Sequence, residues 1–371
     1  MAGKFVPRTV FEVSPSITRS YFLGHHAGAL TSMRKVLSNI NLILECRDSR
    51  VPLTSTNPLL ESALAGRDRI VVYTKSDLCA PASANRWLTK QKDLLTRFHS
   101  GSLGIVQEDG EGNESGYGRT EVVFTDAGNP RSIKKLIDAV KERAVHAESL
   151  TGLRALVVGM PNAGKSTLLN ALRAEGMQLP KAARTGAQPG VTRKLSTPVR
   201  VIAEDTAAGL DGGVFVVDTP GVFVPYVSDV EAMLKLSLVG CVKDGLVPAE
   251  TVADYMLFRL NLRDPEMYGE LSVPTNDVRE FLDNVATRTG KLLKGGIPSQ
   301  EQAADWIVQQ WRKGNLGRFG LDDVSEESLA ALRAKALAGG DQHISMNQAR
   351  KKEKEARKAR NAAKRQGAEG N

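Results

Sequence analysis

The residues Gly159-Met160-Pro161-Asn162-Ala163-Gly164-Lys165-Ser166-Thr167 have the glycine spacing and the Lys-Ser pair of a phosphate-binding loop. Its glycines let the backbone N–H groups around Ala163, Gly164 and Thr167 turn inward on an anion. Lys165 is expected to bridge the β- and γ-phosphates of a nucleotide, and the Ser166 hydroxyl to ligate Mg²⁺. Further on, Asp218-Thr219-Pro220-Gly221 ends an apolar run. The Asp218 carboxylate suits the same cation, and the Gly221 N–H suits the γ-phosphate. Thr192, in Pro189-Gly190-Val191-Thr192, lies between the two motifs. It is placed to close on Mg²⁺ when the γ-phosphate is present; an ordinary loop threonine is the plain alternative. The chemistry these residues share is phosphoryl transfer to water.

A second motif comes earlier in the chain, Thr74-Lys75-Ser76-Asp77. The Asp77 carboxylate can accept hydrogen bonds from guanine N1–H and from its exocyclic amine, a pair that adenine does not offer. The Lys75 stem is expected over the base. Thr74 stands where asparagine is commonest, which leaves one tethering contact open. Thr125-Asp126-Ala127 follows the next apolar run and supplies a backbone N–H for the guanine carbonyl. In ordinary GTP-binding domains the phosphate loop comes first and the guanine motif last. Here the order is rotated, so the motif around Asp218 feeds directly into whatever lies C-terminal to it.

These groups need a scaffold, and the pattern around them predicts a mostly parallel α/β sheet with helices on both faces. Strands are expected at Ile40–Leu44, Ile70–Tyr73, Val122–Phe124, Ala155–Val158, Val199–Ala203 and Val214–Val217. Helical patterns fall near 29–38, 57–65, 82–98, 131–147 and 165–174. Residues 100–119, rich in Gly, Glu and Ser, suggest a surface insertion. After Pro225 the strand signals stop. Ser228 with Glu231, and Ser299 with Gln302, have the spacing of capping boxes, and Gly314 is a plausible helix stop. The expected division is a leader over 1–28, a nucleotide-binding domain over 29–225, a small all-α domain over 226–340 and a tail over 341–371.

At 371 residues the chain exceeds a typical single domain. No apolar run approaches the roughly 18 residues of a membrane span. Cys46, Cys79 and Cys241 are scattered without zinc-ligand spacing, which fits a reducing compartment. The net charge of +8 is concentrated in the tail, where nine basic residues between Arg350 and Arg365 face only Glu353 and Glu355. Such a segment suits phosphate backbones or anionic lipid headgroups, or is simply a solvated charge run. It has no aromatic residue for stacking on bases. Before Glu45 the only acidic residue is Glu12, among Arg, Lys and Ser. That composition suits a mitochondrial targeting segment, with an ordinary unstructured terminus as the alternative.

From Phe22 to Phe319 the chain resembles the circularly permuted GTPases of the YlqF/RbgA type, which act in large-ribosomal-subunit assembly. The likeness rests on Phe22-x-Gly24-His25, Asp48-x-Arg50-x-Pro52 with Asn57-Pro58, and Gly314-Asn315-Leu316-Gly317-Arg318, together with the motifs above. The leader, the 100–119 insertion and the basic tail favour the mitochondrial branch of that family. The resemblance implies GTP/GDP and Mg²⁺ as cofactors, with K⁺ held through Asn162, although an asparagine can also merely tolerate the loop conformation. It implies His25 as a catalytic group recruited by a partner, against a plain surface histidine. Val222, where a water-orienting glutamine stands in Ras-like proteins, cannot polarise water, so slow unaided hydrolysis is expected. The implied partners are the mitochondrial large ribosomal subunit and its rRNA, not DNA. The protein is expected to be a monomer in the matrix, in peripheral contact with the inner membrane. Two alternatives stay open: a GTP-dependent RNA-binding scaffold that hardly hydrolyses, and an equivalent GTPase of cytosolic or nucleolar ribosomes.

Overall fold

A computed structural model describes residues 5–13, 17, 24–80, 85–99, 119–147, 149, 151–183, 185–186, 192, 195–224, 227, 229–337 and 351. Phe22, the 100–118 stretch, Pro189–Val191, Ser228 and nearly all of the basic tail lie outside the described residues, as does the side chain of His25.

Among the described residues a sheet of six strands is formed by β1 (Leu42–Asp48), β2 (Arg69–Thr74), β3 (Thr120–Phe124), β4 (Leu153–Gly159), β5 (Val199–Ile202) and β6 (Val214–Asp218). Their spatial order is β3-β2-β1-β4-β6-β5, and every pair is parallel except β5–β6. The chain works outward from β1 to β3 on one side, then returns to lay β4 against the other edge of β1. That reversal is the switch point where open α/β sheets bind ligands, beyond the carboxyl ends of their strands. Asp48 pairs with Thr74, Cys46 with Gly159, and Val157 with Asp218, so the motif-bearing ends emerge on one edge.

Successive side chains on a strand point to opposite faces, and each face here is covered. On one side Leu42, Leu44, Val72, Val157 and Val216 pack with Leu136 and Val140 of α4 (Pro130–His146) and Leu168 and Leu172 of α5 (Lys165–Met177). On the other, Ile43, Leu156 and Val158 meet Leu30 and Met33 of α1 (Gly24–Val36) and Leu60 of α2 (Pro58–Ala63). Val71, Tyr73 and Val122 on that edge are covered by Leu94 and Leu95 of α3 (Asn85–His99). The helices on both faces agree with the sequence pattern. Strand β1 does not stop at Leu44 as expected but runs to Asp48. Its charged half is buried because Arg47 pairs with Glu45 and Glu61, while Arg69 reaches both acids.

The C-terminal part packs α6 (Val230–Leu238), α7 (Ala249–Arg263), α8 (Val278–Thr289) and α9 (Gln300–Arg312) around Tyr255, Met256, Phe281, Ile307 and Trp311. Helix α6 is capped by Asp229, whose side chain accepts from the Glu231 N–H; the cap expected at Ser228 is therefore displaced by one residue. Ser299 does occupy the cap position of α9, but its side chain makes no capping hydrogen bond. Helix α10 (Glu326–Leu337) leaves this bundle: Leu329 and the preceding Val324 join Tyr73, Leu94 and Val122 at the sheet. Asp322 anchors that return by accepting from the Leu53 and Thr54 N–H groups at 2.9 and 2.7 Å.

Residues 5–13, read from composition as a leader, lie on the helical domain. Phe11 packs edge-on to Tyr255 with ring centroids 5.3 Å apart and sits 5.5 Å from Phe258. Arg8 pairs with Asp254 at 2.6 Å, and the Asn276 amide donates to the Val6 carbonyl at 2.9 Å. A leader composition and a docked segment are compatible in sequence because Phe, Val and Arg serve both.

Candidate functional site

The phosphate loop leaves β4 at Gly159 and enters α5 at Lys165. Lys165 is buried, and its ammonium donates to the carbonyls of Gly159 at 3.3 Å and Met160 at 2.8 Å. Burial lowers its pKa below the ordinary lysine value, while Asp218 works in the opposite sense. The Ser166 hydroxyl donates to Asp218 Oδ2 at 2.6 Å and lies 3.2 Å from the Thr192 hydroxyl. Ser166, Thr192 and Asp218, widely separated in sequence, thus converge on one point.

The Asp218 carboxyl is raised above the ordinary carboxylate value by burial, against the hydrogen bond from Ser166 and the charge of Lys165. Its second oxygen, Oδ1, is buried without a hydrogen-bond partner. A buried lone carboxylate oxygen beside two hydroxyls is a hard-oxygen donor set. It fits Mg²⁺, which takes one or two carboxylates plus phosphate oxygens. Gly221 follows, packed on the phosphate loop so closely that a Cβ there would lie 2.6 Å from Pro161 Cα. No larger residue fits without moving the loop. Its neighbour Val222 is 2 % exposed and belongs to the core with Val158 and Val217; the Asn57 amide holds its carbonyl at 2.9 Å.

The guanine side is built from the ends of β2 and β3. Thr74 replaces the commoner asparagine yet still tethers the phosphate loop: its hydroxyl lies 2.8 Å from the Ala163 carbonyl and 3.2 Å from that of Arg47. Lys75 has a left-handed backbone, φ 56°, and its ammonium bridges Asp48 Oδ2 at 2.7 Å and the Asn162 carbonyl at 2.8 Å. Asp77 is half-buried in the turn Ser76–Leu78. Its carboxyl is raised by burial and next by Asp126. The Ser76 N–H to Thr125 carbonyl bond, 3.1 Å, joins the two segments. The N–H groups of Thr125 and Asp126 are taken by the Tyr73 carbonyl and the Ser132 hydroxyl. Ala127 is the exposed member of the three, and among the described residues its N–H has no acceptor.

A cavity of about 370 Å³ lies between these elements. Lys75, Asn162, Gly164, Lys165, Ser166, Thr167, Thr192 and Gly221 line it; Thr74 and Ala163, bonded to each other, are not among its lining. Asp77, Thr125, Asp126 and Ala127 stand outside the lining, with Asp77 in the turn next to Leu78. His25 falls in the first turn of α1. Several lining residues were missed in the sequence. Arg50 carried a signal in its motif with Asp48. Gly240, Gln309, Arg312 and Lys313 carried none, because they arrive from the helical domain.

Fold and site together define a nucleotide-binding P-loop domain whose motifs run in circularly permuted order. Comparisons agree. A family model described as "50S ribosome-binding GTPase" matches residues 154–273. The mitochondrial GTPase 1 of Schizosaccharomyces japonicus is 37% identical over 310 residues, spanning 83% of this chain and 91% of that protein. The mitochondrial ribosome-associated GTPase 1 of Xenopus tropicalis is 31% identical, over 85% of this chain and 98% of that one. Ribosome biogenesis GTPase A of Priestia megaterium is 28% identical, with 84% and 98% covered. The chain belongs to the mitochondrial GTPase 1 family of circularly permuted GTPases.

Proposed function

We propose that this protein is a mitochondrial GTPase that docks on the large ribosomal subunit, assists a late step of its assembly and leaves after hydrolysing GTP to GDP and phosphate. The observation that carries the reading is the convergence of Ser166, Thr192 and Asp218 beside Lys165 at the switch point of the sheet. Relatives named for mitochondrial ribosome association and for ribosome biogenesis support the partner and the compartment. Contact between the basic tail and rRNA phosphates, and peripherally with the matrix face of the inner membrane, completes the picture. No described helix is long and apolar enough to cross a membrane.

In this reading Lys165 and the loop N–H groups hold the phosphates, and Asp77 with the Ala127 N–H selects guanine. Ser166, Asp218 and Thr192 would hold Mg²⁺, which would supply neutralisation of phosphate charge. Asn162 suits K⁺. Its amide nitrogen donates to the Gly240 carbonyl at 2.8 Å, so the amide oxygen is the atom that would take the cation. Gly221, seated on Pro161, senses the γ-phosphate, and the chain beyond it leads to α6. With Val222 buried, His25 is the group proposed to complete the site on the ribosome. Val222 also favours the second reading, a GTP-dependent scaffold with negligible turnover.

GTP turnover in K⁺ and in Na⁺ buffer, with and without mitochondrial large subunits, separates them. Stimulation by the subunit, abolished by His25→Ala, is the expected result. GTP binding without stimulated turnover moves the assignment to the scaffold.

A further inference from the structure

The nucleotide cavity is not walled by the GTPase domain alone. Its far side is made by Val239 and Gly240 after α6 and by Gln309, Arg312 and Lys313 at the end of α9. The two walls are fastened together. Besides the bond from Asn162 to Gly240, Arg50 donates toward the Arg312 carbonyl at 3.4 Å. Gly314, just beyond α9 with φ +83°, approaches so closely that a Cβ there would lie 2.8 Å from Leu78 Cδ2. Leu78 is the residue after Asp77, so the end of α9 sits beside the guanine side of the site.

The cations facing this cavity differ in what already occupies them. Arg50 is paired with Asp48, and Lys75 with Asp48 and the Asn162 carbonyl. Lys165 is held by the Gly159 and Met160 carbonyls. Arg312 pairs with Asp244 at 2.9 Å and donates to the Ser237 and Leu238 carbonyls. Lys313 is exposed; its main-chain N–H donates to the Gln309 carbonyl at 3.2 Å, and its ammonium has neither hydrogen bond nor ion pair among the described residues. A cation beyond the end of a helix is favoured by the helix dipole wherever it points. What sets Lys313 apart is that it lines the same cavity as the phosphate loop.

We propose that Lys313 is a ligand of the guanine nucleotide, its ammonium reaching an anionic oxygen of the phosphate chain. The nucleotide is then held between two domains, and binding fixes the helical domain against the GTPase domain directly, in addition to any signal through Gly221. This rests on the assignment of the cavity as a guanine-nucleotide site.

The test is equilibrium binding of fluorescent GDP and of a non-hydrolysable GTP analogue to the full-length protein, with unfolding temperature measured without nucleotide. Lys313→Ala is expected to weaken binding about three- to tenfold, from the loss of one exposed charge contact, and Lys313→Glu further. The unfolding temperature should stay at the wild-type value. Lys294→Ala, also exposed but outside the cavity, should bind as the wild type does. Wild-type affinity in Lys313→Ala overturns the proposal and leaves the cavity assignment standing. A wild-type protein that binds no guanine nucleotide overturns both.

Discussion

Arg50 lies over the indole of Trp311, its guanidinium carbon 4.9 Å from the ring centroid, while it grips Asp48 through hydrogen bonds of 2.9 and 2.8 Å. Trp311 belongs to the helical domain and Asp48 to the end of β1. The same carboxylate accepts from Lys75, which also reaches the Asn162 carbonyl. One line of contacts therefore runs from the helical core through Arg50 and Asp48 to the guanine side and the phosphate loop. This continuity puts the helical domain in physical contact with the nucleotide site.

Breaking that line should be costly. Asp48 and Arg50 are both buried, so removing one partner leaves the other charge uncompensated. Arg50→Ala is expected to lower stability by about 3–5 kcal/mol, read as a shift of the urea midpoint. Arg50→Lys should recover little, since an ammonium neither forks onto a carboxylate nor stacks on an indole as a guanidinium does. Burial pushes the Asp48 carboxyl up, but Arg50 and Lys75 override it and hold the group well below its ordinary value. Its stabilisation is thus present above the unfolded carboxylate pKa, about 4, and is lost only as pH falls below that. Stability between pH 5 and 8 should show no titration from this pair.

Asp77 behaves in the opposite sense. Burial and the neighbouring Asp126 raise its carboxyl, so its charged form, the one that accepts from guanine, is lost at a higher pH than an ordinary aspartate's. GTP affinity should fall on acidification before the Asp48 pair responds. Asp77→Asn should weaken GTP binding at least about tenfold and gain affinity for xanthosine triphosphate. The amide nitrogen can donate to the second xanthine carbonyl, which stands where guanine has its amine. Competition between the two nucleotides measures both effects; retained GTP preference in the variant would remove Asp77 from base recognition.

How much of this was legible in the sequence follows from range. Ser166 and Asp218 stood out because their motifs carry a local signature, Thr192 because of its place between those motifs, and the six strands because apolar runs mark them. The extent of β1 was not legible. Glu45, Arg47 and Asp48 look like a strand's end until Glu61, Arg69 and Arg50 are seen neutralising them. The wall from α9 was invisible for a related reason: Gln309 and Lys313 are ordinary residues at a helix end, and only packing brings them to the phosphate loop. The place of Leu329 on the sheet was not legible either, because packing alone decides which apolar surface α10 meets.

The segment over residues 5–13 packs on the helical domain through Phe11 and Arg8. Phe11→Ala should destabilise the helical domain by about 1–3 kcal/mol, from lost burial and two aromatic contacts. Arg8→Ala should add less, because the Arg8–Asp254 pair is only partly buried. Import that removed these residues would cause the same loss in every molecule. Protein isolated from mitochondria is therefore expected to retain them, which N-terminal peptide mass spectrometry reads directly. A mature chain starting after Val13, and as stable as the full one, would show the docked segment to be dispensable.

Val222→Gln tests whether the missing glutamine is a matter of residue type or of direction. In Ras-like proteins a glutamine at this position orients the attacking water, so the naive expectation is faster intrinsic hydrolysis. Here the side chain points into the core with Val158 and Val217 and does not line the cavity. The main chain is pinned from both sides: the Val222 N–H donates to the Gly159 carbonyl at 3.1 Å, and its own carbonyl accepts from Asn57. A glutamine amide placed there is buried without partners and should cost about 1–3 kcal/mol. Intrinsic turnover should stay at the wild-type level while the unfolding temperature drops. A rise in turnover of tenfold or more in Val222→Gln would mean that the loop after Gly221 can turn this side chain toward the γ-phosphate, and the case for a group recruited from elsewhere would lose its footing.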